Sequence, residues 1–138
     1  MTNRVSYTLD STLDSVNHAE STASEVAAKA GFSEDEQDNI AMAVREAAVN
    51  AVLHGNQRDP AKKFFVAYET TVDTLVITIT DQGQGLDPGL IPDPLSPENL
   101  MKGSGRGIFL IRAFMDEVRF RNVAPGTEIT LIKHVNRK

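Results

Sequence analysis

The chain has 138 residues, the usual size of one globular domain, and 41% of them are hydrophobic, which is enough to build a core. Its net charge of −5 argues against direct nucleic-acid binding, because contact with phosphate backbones needs clustered Lys and Arg. The absence of cysteine excludes disulfides, thiolate metal sites and cysteine nucleophiles. The sequence has neither an export signal nor an apolar run of about 20 residues, so we expect a cytoplasmic protein that does not bind membranes.

The first part of the chain predicts one strand followed by two helices. Residues 4–9 alternate between apolar and polar, which predicts a strand at an edge of a sheet. Apolar residues recur at helical spacing over 12–30, ahead of a glycine. Ser33 and Glu36 form a capping box, and an apolar stripe then predicts a second helix over 34–54.

The remaining chain predicts four strands and one more helix. The strands are expected at 62–69, 74–80, 118–122 and 129–135, and a short apolar helix at 107–115. The loop at 81–105 holds four of the six prolines, and its part from about 86 to 105 is expected to be a lid over a functional site. The sum is an α+β fold: a two-layer sandwich of a mixed, mainly antiparallel sheet with helices on one face.

Glu46 and Asn50 are one helical turn apart, so their side chains share a face that points away from the apolar stripe of the second helix. In isolation such a pair is an ordinary solvated pair. The small apolar neighbours of Asn50, together with its poor helix propensity, instead indicate an amide that is bonded and partly buried. The pair is therefore a candidate ligand-binding face.

Two glycine-rich segments are further candidates. Asp81 follows a predicted strand directly, and the glycines after it let another molecule approach closely. A carboxylate there can accept a hydrogen bond from an exocyclic amine, which would distinguish adenine from guanine; a tight turn capped by Asp81 is the alternative. The segment 103–107 leads into the apolar helix, where exposed N–H groups can bind an anion and Arg106 can add charge. A flexible hinge is the alternative there.

Taken in order, these segments resemble the ATP-binding fold of the gyrase, histidine kinase and MutL superfamily, from about residue 5 to residue 135. The run 46–56 is similar to its N box, 81–85 to its G1 box and 103–107 to its G2 box, and Gly126 with Thr127 is similar to its terminal threonine motif. The resemblance implies a Bergerat-type fold that uses ATP and Mg²⁺. Neither a Walker A motif nor a Rossmann fingerprint is present.

Within the superfamily, the wording of 46–55 and 107–118 resembles the bacterial anti-sigma-factor serine kinases of partner-switching pathways. The implied activity is phosphorylation of an anti-anti-sigma partner together with sequestration of a sigma factor by a homodimeric kinase. A non-catalytic ATP-dependent binding module is the alternative. The ATP-binding domain of a sensor histidine kinase is disfavoured, because the sequence starts with Met1, shows no preceding helix with an acceptor histidine, and has a short lid.

The same resemblance implies a role for each site residue. Glu46 would be the catalytic base toward the acceptor serine, and Asn50 would coordinate the Mg²⁺ held by the phosphates. Asp81 would recognise the adenine amino group, helped through water by Thr127. The other implied ATP-binding residues would shape the pocket and lid: Gly83, Gly85, Gly103, Ser104, Gly105, Arg106 and Gly107.

Overall fold

The computed structural model describes residues 3–56, 59, 61–83, 105–123 and 126–135, with the backbone alone at 54, 55, 105–109 and 122. Within these ranges the chain forms five strands: β1 Asn3–Asp10, β2 Lys63–Thr70, β3 Thr74–Thr80, β4 Glu117–Asn122 and β5 Thr127–His134. It also forms three α-helices: α1 Leu13–Ala30, α2 Glu34–Asn50 and α3 Gly105–Phe114. None of the described helices is both long and apolar enough to cross a membrane.

Local capping determines both ends of α1. At its start, the Thr12 hydroxyl accepts a hydrogen bond from the Ser15 N–H at 3.2 Å. At its end, Gly31 adopts a left-handed φ of 96°, which a residue without a Cβ tolerates well. The apolar residues on its buried side are mostly small, which lets α1 lie close against α2: Val16, Ala19, Ala23 and Ala27.

The capping box predicted at the start of α2 is confirmed. The Ser33 hydroxyl accepts from the Glu36 N–H at 3.2 Å, and the Glu36 carboxylate accepts from the Ser33 N–H at 3.3 Å. Helical winding continues beyond α2 to the expected end of the helix, but Ala51–Gly55 is a π-helix. The Asn56 N–H closes this wider turn on the Ala51 carbonyl at 2.8 Å. Such turns occur frequently at functional sites.

The sheet has the order β1-β2-β3-β5-β4, so β1 lies at an edge as predicted. All four described strand pairings are antiparallel. Every second residue of the inner strands is buried, as expected for a sheet with helices on one face: Phe64, Val66, Tyr68, Leu75, Ile77, Ile79, Ile129 and Leu131. The α+β fold class is confirmed, and these side chains form one core with the buried residues of the helices.

The strand order positions the candidate site, because β5 enters between β3 and β4. Thr80, the last residue of β3, pairs with Glu128 of β5. Beyond this pair, the Asp81 N–H donates to the Thr127 carbonyl at 3.0 Å. The residue that follows β3 is therefore held beside the first residue of β5, although the two are far apart in the sequence.

Candidate functional site

Asp81 is a buried carboxylate at the end of β3, with only 6% of its surface exposed. Its Oδ1 atom accepts hydrogen bonds from the Gly83 N–H at 2.9 Å and the Thr127 N–H at 3.1 Å. Both bonds go to the same oxygen and come from backbone groups. The orientation of the carboxylate is therefore fixed by the polypeptide itself.

Burial raises the pKa of Asp81 above its usual value. The N–H groups of Gly83 and Thr127 and the positive charge of Lys62 lower this pKa, but loss of water has the larger effect. The ionised carboxylate is thus less well solvated than it would be in water. A ligand that brings a hydrogen-bond donor to it would be bound strongly for that reason.

Replacing Asp81 with asparagine should raise the thermal midpoint of the ligand-free protein near neutral pH. A carboxyl whose pKa is raised by folding contributes stability below its unfolded pKa of about 3.9 and loses it as the pH rises through the folded value. Asparagine keeps an oxygen for both N–H groups without the charge. Thermal unfolding followed by circular dichroism should show a stabilisation at neutral pH that vanishes below about pH 3.5. A destabilisation of equal size at both pH values would contradict this explanation.

Gly126 is buried and packs directly against the backbone of Asp81. Its φ of 107° is in the left-handed region, and a Cβ placed on it would lie 1.9 Å from the Asp81 carbonyl oxygen. Such a distance is sterically impossible without movement of the backbone. A glycine is therefore required for β5 to begin beside Asp81.

Asn56 is a fully buried polar residue to which the sequence reasoning assigned no role. Its Nδ2 donates to the Ser11 hydroxyl and to the Lys63 carbonyl, each at 2.9 Å. Its Oδ1 accepts from the Gln82 N–H at 2.7 Å. The only feature of the sequence that could have indicated this role is that Asn56 is a polar residue directly after Gly55, the glycine expected to end the second helix. Asn56 thus joins the end of the second helix to the residue that follows Asp81.

Glu46 and Asn50 both lie half-buried on α2, and Asn50 is its last residue before the π-helix. The bond from Gln82 to Asn56 brings the end of this helix to the end of β3, where Asp81 lies. The N-box residues and Asp81 therefore come from different elements but belong to one end of the molecule. The partial burial of Asn50 agrees with the sequence analysis, and the ligand-binding role of the pair stays a prediction.

The helix α3 begins at Gly105, earlier than the predicted start at 107, so three predicted site residues lie in its first turn: Gly105, Arg106 and Gly107. N–H groups in a first turn have no partner within the helix and favour anions. The helix packs on α2. Gly85, Gly103, Ser104 and residues 86–102 of the predicted lid lie outside the described residues.

The described residues fit a nucleotide better than a metal ion held by protein alone. The described part of the chain contains no cluster of three His, Cys, Asp or Glu side chains placed to hold a metal. A nucleotide-bound Mg²⁺ needs few protein ligands, because phosphates and water supply the others. One amide oxygen, such as that of Asn50, is enough for this kind of site. The fixed carboxylate of Asp81 suits a nucleotide base that carries an amine donor.

Comparison with known proteins agrees with this geometry. The histidine kinase-like ATPase domain family matches residues 9–133. Serine-protein kinase RsbW of Bacillus licheniformis is 34% identical over 125 residues, which cover 85% of this chain and 76% of the relative. Anti-sigma F factor of Anoxybacillus flavithermus is 34% identical over 108 residues, which cover 75% of this chain and 73% of that protein.

Solved structures share the fold. The crystal structure of the RsbU and RsbW domains of Rv1364c from Mycobacterium tuberculosis matches with a TM-score of 0.71 and 22% identity, over 99% of this chain and 33% of that chain. The catalytic domain of the histidine kinase ThkA matches with a TM-score of 0.63 and 12% identity, over 99% of both chains. The predicted resemblance is confirmed: the chain belongs to the histidine kinase-like ATPase domain family, in the group that contains the RsbW serine-protein kinases and anti-sigma F factors.

Proposed function

We propose that this chain is an ATP-dependent protein-serine kinase that phosphorylates an anti-anti-sigma partner and binds a sigma factor. The observation that carries the nucleotide part is the Asp81 carboxylate, which is buried and held at Oδ1 by two backbone N–H groups. The kinase and sigma-factor parts are supported by relatives named serine-protein kinase and anti-sigma F factor at 34% identity. We further expect a cytoplasmic homodimer that does not bind nucleic acid directly.

Each site residue has a separate task in this proposal. Asp81 accepts a hydrogen bond from the exocyclic amine of adenine, with Thr127 beside it. The backbone at 105–107 binds phosphate. Asn50 would hold a nucleotide-bound Mg²⁺, which would supply positive charge to the phosphoryl group. Glu46 accepts the proton of the serine hydroxyl as its oxygen bonds to the γ-phosphorus of ATP, the bond from that phosphorus to the bridging oxygen breaks, and ADP leaves. Gly83 and Gly85, together with the lid residues Gly103 and Ser104, complete the pocket.

A non-catalytic ATP-dependent binding protein of the same fold is the second candidate, and it is not favoured. Several relatives that carry the name serine-protein kinase match over more than 80% of this chain. The half-buried Glu46 one turn before Asn50 also supports catalysis, because a protein that only binds nucleotide needs no base there. Transfer of labelled phosphate from ATP to a serine of the purified anti-anti-sigma partner tests the kinase activity directly.

Asp81→Asn should weaken ATP binding by roughly 10- to 150-fold, because a hydrogen bond to a buried charge contributes about 1.5–3 kcal/mol. Titration calorimetry with Mg-ATP, Mg-ADP and Mg-GTP measures this, and the wild type should prefer the adenine nucleotides. Asp116→Asn is the matched control, since that exposed carboxylate also accepts a backbone N–H, from His134 at 2.7 Å. Equal affinity of the wild type for ATP and GTP would refute the assignment of Asp81.

A further inference from the structure

Asn56 is a fully buried hydrogen-bond centre whose side chain bonds to three other segments of the chain and whose backbone N–H bonds to a fourth. Its amide donates to Ser11, ahead of α1, and to Lys63, the first residue of β2. Its oxygen accepts from Gln82, which follows β3. Its own N–H closes the π-helix on Ala51. Asn56 therefore connects the end of the π-helix to the neighbouring ends of β1, β2 and β3, and Asp81 directly follows the last of these strands.

The backbone around Asp81 is held by three consecutive N–H groups, each with its own acceptor. The Asp81 N–H donates to the Thr127 carbonyl at 3.0 Å, and the Gly83 N–H donates to the Asp81 carboxylate at 2.9 Å. Between them, the Gln82 N–H donates to Asn56 at 2.7 Å. Of these three bonds, only the middle one reaches the helical layer. Among the three, it is thus the hydrogen bond that links the Asp81 segment to the segment following Asn50.

We propose that Asn56 is a positioning residue that sets the distance between the Asp81 end and the Asn50 end of the nucleotide site. This inference rests on the proposed function, in which the base contacts Asp81 and the phosphates lie near Asn50. Asn56 touches neither part of the ligand and acts through Gln82 and the π-helix. Without it, the bonds from Gly83 and Thr127 still orient the Asp81 carboxylate, but the Gln82 N–H loses its hydrogen bond to the segment that follows α2.

This role predicts different effects on two ligands. ATP spans both ends of the site, so its binding requires their correct separation. Adenosine reaches the base end alone, where the carboxylate keeps both of its backbone donors. In Asn56→Ala the Kd for ATP should rise by about 10-fold, the size expected from loss of a buried hydrogen bond, and the Kd for adenosine should change by less than about 2-fold. A purely structural role would not separate the two ligands.

The experiment measures ATP and adenosine binding by calorimetry or NMR titration, well below the thermal midpoint, with unfolding measured separately. Tyr68→Phe is the matched control, because it also removes a buried hydrogen bond, from the Tyr68 hydroxyl to the Ala19 carbonyl at 2.7 Å, away from the site. Ser11→Ala removes one partner of Asn56 but leaves the bond to Gln82. Both variants should bind ATP as the wild type does, whatever stability they lose.

The outcomes separate the inference from the proposed function. Wild-type ATP affinity in Asn56→Ala, or equal losses for ATP and adenosine, would overturn the positioning role. A loss of ATP affinity in Tyr68→Phe equal to that in Asn56→Ala would also overturn it. Failure of the wild-type protein to bind ATP would overturn the proposed function itself. If Asn56→Ala does not fold, Asn56→Ser is measured in its place, and the same outcomes decide.

Discussion

Replacing Glu46 with glutamine should slow phosphoryl transfer to the anti-anti-sigma partner by about 10²–10⁴-fold while leaving ATP affinity nearly unchanged. Transfer to a serine hydroxyl needs a group that accepts the hydroxyl proton, and glutamine has the shape of glutamate without that capacity. The side chain lies half-buried on α2, one turn before Asn50. Single-turnover assays with labelled ATP measure transfer, and calorimetry measures binding.

Two further variants show whether the effect of Glu46→Gln is specific to the loss of a proton acceptor. Glu25→Gln changes an exposed glutamate on α1 and should leave both quantities unchanged. Asn50→Ala should weaken magnesium-dependent binding and transfer together, because an amide can hold a cation but cannot accept a proton at neutral pH. Transfer at the wild-type rate in Glu46→Gln would refute the catalytic role of Glu46 and favour the non-catalytic binding protein.

Replacing Gly126 with alanine should destabilise the protein by more than about 3 kcal/mol and abolish ATP binding. The added Cβ would lie 1.9 Å from the carbonyl oxygen of Asp81 and 3.0 Å from its Oδ1 atom. Relief of this overlap requires the start of β5 or the end of β3 to move. Either movement displaces the carboxylate proposed to bind adenine. Chemical denaturation and calorimetry measure the two losses.

Gly31→Ala separates backbone strain from steric overlap. Gly31 also has a positive φ, of 96°, but it is exposed at the end of α1, away from Asp81. Alanine there should reduce stability by about 1–2 kcal/mol, the penalty of the left-handed conformation, and should leave ATP binding intact. If Gly126→Ala is no less stable than Gly31→Ala and still binds ATP, the close contact between Gly126 and Asp81 is not required for stability or for nucleotide binding.

The comparisons confirm the family that the motifs indicated by their order along the chain. The roles of individual residues stay predictions. The motifs could be recognised because each is a short run whose chemistry is local, such as the glycines after Asp81. Asn56 lies inside the run that resembles the N box, yet nothing in its immediate neighbours reveals its function. Its partners are 45 residues before it at Ser11 and 26 residues after it at Gln82. Spacing along one helix cannot predict contacts of this kind.

The sequence by itself determined the approximate positions of the helices and strands and the edge position of β1, because caps and hydrophobic periodicity act over a few residues. The Ser33 capping box and the end of α1 at Gly31 were predictable in this way. The tertiary structure alone decided that the turn after Asn50 is a π-helix and that Gly126 packs on Asp81. The Thr127 N–H reaches the Asp81 carboxylate across 46 residues only once β5 has entered the sheet beside β3. Such bonds depend on strand order, which follows from how the whole core packs.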